Sequence, residues 1–140
     1  METENSSISE NNISNNKYGV YLDRSSNNSI TSNNVCSNKL GIYTFESRSN
    51  KIYLNNFINN DGTVFSFWST SIWNTIEEIT YSYNGTTYES YLGNYWDDYN
   101  EKHPEAKEIV SSGVWAVPYR IEMDGSDFYP LTVRFENYVL

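Results

Sequence analysis

The stretch NNSITSNNVCSNKLGIYTFESR (Asn27–Arg48) follows NSSISENNISNNKYGVYLDRSS (Asn5–Ser26) and precedes SNKIYLNNFINNDGTVFSFWST (Ser49–Thr70), and the three align without a gap at a step of 22 residues. Ile8, Ile30 and Ile52 fall in one column; Ile13, Val35 and Phe57 in a second; Val20, Ile42 and Val64 in a third. Asn11, Asn33 and Asn55 keep the same step, as do Asn12, Asn34 and Asn56, and Asn16, Asn38 and Asn60. Each unit consists of short alternating runs between Asn, Ser and Gly, which leaves no room for a helix. One such unit cannot bury its own apolar face. Stacked units can, and self-similarity at this period is the mark of a solenoid. The predicted fold is therefore all-β: a right-handed parallel β-helix of about three 22-residue coils over residues 5–70.

Stacking turns each aliphatic column into an interior ladder, at roughly 1.5–3 kcal/mol for each fully buried side chain. Coils rise by about one strand spacing, ~4.8 Å, so three of them make a body about 15 Å tall. The columns Asn12, Asn34, Asn56 and Asn16, Asn38, Asn60 are expected to be structural ladders, in which side-chain amides donate and accept along the stack. Gly19 and Gly41 are expected at a corner with positive φ. Cys36, between Ser14 and Ile58 in register, is expected on a wall of the coil.

From Ser71 onward the register fades and the composition turns aromatic and acidic. Ile79–Tyr83, Asn84-Gly85 and Thr86–Ser90 read as a two-residue β-hairpin, since Asn-Gly suits the type I′ turn that right-twisted strands prefer. Residues 71–140 are expected to form a C-terminal aromatic cap packed on the last coil, the whole being one domain. Such a cap is needed because an open β-helix end exposes unpaired strand edges.

The chain has 140 residues, a formal charge of −9 and scattered basic residues, which argues against nucleic acid as a partner. One cysteine excludes an internal disulfide and a cysteine-based metal cluster. No apolar run approaches a membrane span, and Met1–Glu4 has neither the basic nor the apolar region of a signal peptide. If the protein is secreted, its targeting segment is expected outside this sequence.

With these residues in view, the Asn-Asn-x-Ile and Gly-Ile-Tyr steps of the coils resemble the NosD-type parallel β-helix repeat of copper-site assembly factors and archaeal cell-surface proteins. The terminal half is similar to the ending of the archaeal surface proteins: Leu54–Asn60, Ile72–Asn74, Ile79–Gly85, Leu92–Tyr99, Val117–Tyr119 and Asp127–Leu131 match it in order. The resemblance covers nearly the whole chain and implies the fold and an extracellular or cell-surface location. Fold alone does not assign an activity, because the same β-helix carries hydrolases, lyases and binding modules. Where the family often has an acidic, Gly-rich loop like a calcium site, this chain has Asn100–Val110, without alternating carboxylates or a turn glycine. No cofactor is expected.

Glycoside hydrolysis needs two carboxylates facing each other across a cleft. Asp23 is followed in register by Phe45 and Phe67, while the neighbours Asp97 and Asp98, like Glu77 and Glu78, would point to opposite faces of an extended chain. The sole histidine, His103, lies in a charged loop without a nucleophile elbow. A copper site would require clustered His, Met or Cys, and the available donors are His103, Cys36, Met1 and Met123. Trp68, Trp73, Tyr95, Trp96, Tyr99 and Trp115 remain. Their rings could stack on sugars, with Asp97 bonding hydroxyls, or fill the core of the cap. Trp68 is the most exposed candidate by register, because it succeeds Arg24 and Glu46. Of the Asn-x-Ser/Thr sequons at Asn5, Asn12, Asn27 and Asn84, only Asn84 sits at a predicted hairpin tip.

The expected function is a non-catalytic cell-surface β-helix module, with a polysaccharide as candidate ligand at Trp68, Trp73, Tyr95, Trp96 and Asp97. Two alternatives are a truncated polysaccharide hydrolase or lyase, and a spacer without a ligand. An enzyme should show convergent carboxylates, a binding module an exposed aromatic strip, a spacer neither. The first coil begins near Met1, so the cross-section formed by Ile8, Ile13 and Val20 is expected to pair, either in a head-to-head homodimer or with further coils of a longer β-helix.

Overall fold

The computed structural model describes residues 2–140, so the expectation resting on Met1 as a metal donor lies outside the described residues. Each repeat folds into one coil of three strands. The first holds β1 (Ser7–Ser9), β2 (Asn12–Ser14) and β3 (Tyr18–Asp23); the second β4 (Ser29–Thr31), β5 (Asn34–Cys36) and β6 (Leu40–Phe45). The third holds β7 (Arg48–Tyr53), β8 (Asn56–Ile58) and β9 (Gly62–Phe67), and β10 (Thr70–Ile72) begins another turn. Equivalent strands pair in parallel and build a β-solenoid with three walls. Ile8, Ile30 and Ile52 are in register on the first wall, Ile13, Val35 and Phe57 on the second, Val20, Ile42 and Val64 on the third. Ile30, Val35, Ile42, Ile52 and Phe57 are fully buried, so the repeated aliphatic positions are the core.

The corners follow a two-residue rule. A residue with positive φ turns the chain, and the next residue, Asn or Ser, ties the coils together. Glu10, Ser32 and Leu54 have φ of 58°, 58° and 55°, and are followed by Asn11, Asn33 and Asn55. Arg24, Glu46 and Trp68, at 47°, 47° and 50°, are followed by Ser25, Ser47 and Ser69. In each column the side-chain oxygen accepts the backbone N–H of the coil below: Asn33 donates to Asn55 Oδ1 at 3.0 Å, Asn38 to Asn60 Oδ1 at 3.0 Å, and Ser47 to Ser69 Oγ at 3.0 Å. These bonds satisfy buried backbone groups that a sharp bend removes from the sheets.

Gly19 and Gly41 are not the corner residues expected from the repeat, since neither has positive φ. They sit inside β3 and β6, where an added Cβ would stand 2.6 Å from the Gly41 carbonyl and 2.5 Å from the Thr63 carbonyl. Close approach between coils, not backbone handedness, requires glycine there.

Beyond β10 the chain forms the hairpin β11 (Ile79–Tyr83) and β12 (Thr86–Ser90), with Asn84 and Gly85 both at positive φ as a type I′ turn demands. It then returns to the solenoid. β13 (Tyr95–Trp96) lies parallel on β8, and Asn94 takes the next rung of the Asn11 column: its Oδ1 accepts from Asn55 N–H at 3.1 Å and from Asn55 Nδ2 at 3.0 Å. A short helix α1 (Tyr99–Lys102), then β14 (Tyr119–Ile121) and β15 (Gly125–Asp127) complete the cap. Asp127 is fully buried beneath it, and its carboxylate accepts from Asn94 N–H at 2.7 Å, Trp96 Nε1 at 2.8 Å and Tyr129 N–H at 3.0 Å.

Candidate functional site

The third wall, β3-β6-β9, alternates strictly. Val20, Leu22, Ile42 and Thr44 face inward, while Tyr21, Tyr43, Phe45, Phe65 and Phe67 face outward and are half-buried or exposed. The outward rings stack coil upon coil. Tyr21 and Tyr43 have centroids 4.8 Å apart at 5°, Tyr43 and Phe65 5.3 Å apart at 3°, and Phe45 and Phe67 6.0 Å apart at 6°. Stacking covers both faces of Tyr43, while Tyr21 and Phe65 at the ends of the column are 52% and 47% exposed. Trp68 breaks the pattern: it stands 4.6 Å from Phe67, tilted by 34°, and its side chain is 64% exposed.

Trp68 lies at the corner between β9 and β10 and lines a groove of about 850 Å³ with Glu46, Arg48, Ser69, Thr70 and Met123. Two of these positions follow from the repeat, since Glu46 occupies the same corner one coil earlier. Met123 comes from the turn between β14 and β15 and is 62% exposed. Asp124 pins that turn to the last coil. Its Oδ1 accepts from Ser71 N–H at 2.6 Å, and its Oδ2 from Ser66 Oγ at 2.9 Å, which in turn receives the Thr44 hydroxyl at 3.0 Å. Burial pushes the Asp124 carboxyl above the usual carboxylate range, against the lowering effect of those donors. The groove thus has a solid floor and carries one exposed indole, one soft thioether, two opposite charges and the Thr70 hydroxyl, the Ser69 hydroxyl being held in the ladder by Ser47 N–H and the Phe67 carbonyl.

The residues expected from the sequence do not gather there. Trp73 and Trp96 are 1% exposed and belong to the solenoid core, where Trp96 stacks on Phe57 at 4.5 Å and on Tyr119 at 4.2 Å, so neither can meet a sugar. Their large apolar area seals the top of the third coil instead. Tyr95 is half-buried on β13. Asp97 spends Oδ2 on the Asn59 N–H at 2.6 Å, while Asp98 turns to the Tyr119 hydroxyl at 3.1 Å and Lys102 at 3.2 Å. Trp115 stacks on the buried Tyr99 at 5.0 Å.

The side-chain amides of Asn16, Asn38 and Asn60 join in sequence, with Nδ2 to Oδ1 distances of 3.2 and 3.1 Å. Asn12, Asn34 and Asn56 are paired through their strands, but no side-chain bond links them among the described residues. Their side chains point out of the coil. Asn56 instead ties down the C-terminal segment, donating to Glu136 at 3.0 Å and accepting from Phe135 N–H at 3.0 Å. The neighbouring column, Asn11, Asn33 and Asn55, carries the inward ladder.

The outward aromatic columns were visible in the sequence as Tyr21, Tyr43 and Phe65 at the same 22-residue step, alternating with the aliphatic columns. Met123 had no such signal, because its place depends on how the cap folds back.

Residues 1–101 match a family described as "Periplasmic copper-binding protein (NosD)". No curated protein and no solved structure matches the chain.

Proposed function

We propose a ligand-holding role for this chain, which belongs to the NosD family: a non-catalytic extracellular β-helix module that binds a polysaccharide in the groove at Trp68. The observation that carries the reading is the exposed indole beside two opposite charges and the Thr70 hydroxyl, on a wall already lined by aromatic rings. A flat ring offers its face to the C–H side of a sugar, while Glu46, Arg48 and Thr70 reach its hydroxyls. Catalysis finds less support. Among the described residues Glu46 is the one carboxylate lining the groove, and glycoside hydrolysis needs two.

The family description names copper, and the residues here do not fit it. Cys36 lies on β5 with Sγ 3.6 Å from Asn12 Oδ1, His103 caps α1 with its ring 5.0 Å from Tyr99, and Met123 stands on the β14–β15 turn. Among the described residues no group of three or more His, Cys, Asp or Glu is placed to hold a metal ion. No step through copper is derived. The periplasmic description of the family supports an extracytoplasmic location. Among the described residues no helix is long and apolar enough to cross a membrane.

A glycan array followed by calorimetry on the best neutral and acidic polysaccharides tests this reading. Trp68→Ala should weaken binding roughly tenfold or more, about 1.4 kcal/mol, with only a small fall in melting temperature, since the ring keeps contact with Phe67 and Phe45 but is mostly exposed. Absence of binding to any glycan, or equal affinity of the variant, would leave the wall as scaffold only. Release of new reducing ends would favour an enzyme.

A further inference from the structure

The aromatic columns of the third wall stop at β9, the last strand of its sheet. Inside a column a ring gives up its faces to its neighbours, as Tyr43 does between Tyr21 and Phe65. The uppermost ring of each column is stacked from below only: Phe65 on Tyr43, and Phe67 on Phe45. These two rings are outward neighbours on one strand, so they lie side by side, with centroids 6.4 Å apart and planes at 21°. Trp68 continues the row, 4.6 Å from Phe67 and tilted by 34°. The cap leaves this side of β9 open, since Asp124 anchors the β14–β15 turn to Ser66, which is buried on the inward side of the strand. Phe65 and Trp68, at the two ends of the row, are exposed.

The outward positions of β9 are Thr63, Phe65 and Phe67, none of them charged, while Glu46, Arg48 and Thr70 stand at the Trp68 end. We propose that the polysaccharide site is the whole row: a linear, uncharged chain lies along β9, across the solenoid axis, with consecutive sugars on Trp68, Phe67 and Phe65. The proposal rests on the reading of Trp68 as a sugar-binding residue and extends it to a direction and a ligand class. A β-1,4-linked chain offers flat C–H faces one after another, which a row of rings can meet in turn. A chain running along the solenoid axis would find both faces of Tyr43 already covered. A polyanion would be repelled by a protein of net charge −9.

Calorimetry with cello-oligosaccharides and chito-oligosaccharides of increasing length tests the proposal. Affinity should rise roughly tenfold or more from the disaccharide to the tetrasaccharide and then level off. Phe65→Ala should weaken tetrasaccharide binding roughly threefold or more and disaccharide binding by less than about 1.5-fold, because the short ligand seats on Trp68 beside the polar groups. Trp68→Ala should weaken both, and Phe65→Tyr, which keeps the ring, should bind like the parent. Carboxymethylcellulose should bind more weakly than hydroxyethylcellulose. Affinity independent of length, a Phe65→Ala effect that is absent or equal at every length, or a charged polymer bound as well as the neutral one would overturn the row and leave the Trp68 site standing. A dimer in light scattering that Phe65→Ala disperses would also overturn it, because a second copy would then cover the rings. If no oligosaccharide binds, or Trp68→Ala changes nothing, the sugar-binding reading falls and the row falls with it.

Discussion

At the scale of single residues, glycines in this chain do two unrelated jobs. Gly41 lies in a strand with ordinary φ, and its missing Cβ makes room for the Thr63 carbonyl, 2.5 Å from where that atom would be. Gly85 has φ of +79° at a hairpin tip and nothing within 4 Å of its Cβ position. Gly41→Ala should therefore destabilise the fold by about 1–3 kcal/mol through overpacking between coils. Gly85→Ala should cost about 1 kcal/mol through backbone strain alone. Urea denaturation separates the two; a larger loss for Gly85→Ala would show that coil spacing is softer than the contacts indicate. The sequence revealed Gly19 and Gly41 as a pair at the repeat step, but not why they were glycine. Period alone cannot distinguish a residue that bends the backbone from one that lets two backbones approach.

The coil is the next scale, and here the side-chain ladder sets the cost of change. Asn55 is fully buried; its Oδ1 accepts the Asn33 N–H at 3.0 Å, and its Nδ2 donates to Ile30 O at 2.8 Å and Asn94 Oδ1 at 3.0 Å. Asn55→Ala would strand a buried donor and a buried acceptor, and should lower stability by roughly 2–5 kcal/mol. Asn12→Ala, on an exposed outward position one residue beyond the same corner type, should stay within about 0.5 kcal/mol. Comparable losses for the two in urea denaturation would mean that inward ladders are not what holds the corners. Three aligned Asn columns were legible at the 22-residue step, yet the side each column faces was not. That depends on the positive-φ residue just before the ladder position. Glu10, Ser32 and Leu54 occupy that place in the Asn11 column without any shared side-chain chemistry to announce it. The fourth rung, Asn94, was equally silent, since it follows Asn55 by 39 residues and enters only after the hairpin has looped out.

At the scale of the whole molecule, cap and solenoid meet at Asp127, and their union should depend on pH. Burial pushes its carboxyl up to about 7, overriding the lowering effect of the Asn94, Trp96 and Tyr129 donors. In the unfolded chain the same group has an ordinary pKa of 3.8. Between these two values the folded state binds the proton that the unfolded state has released. Asp127 thus contributes most below about pH 4, and its contribution falls as pH rises toward 7, by a total on the order of 2–4 kcal/mol. The other acidic groups of a chain with net charge −9 also titrate, so the informative quantity is a difference between proteins. Asp127→Asn removes the titration, though it also replaces one acceptor by a donor facing N–H groups, and should be less stable than the parent at acid pH. As pH rises from 4 to 7 the parent should lose stability relative to the variant, so that the gap between their melting curves narrows or inverts. Profiles that run parallel would mean that the three donors hold the carboxylate ionised throughout, making Asp127 a fixed anionic hub at the junction of Asn94, Trp96 and the last coil.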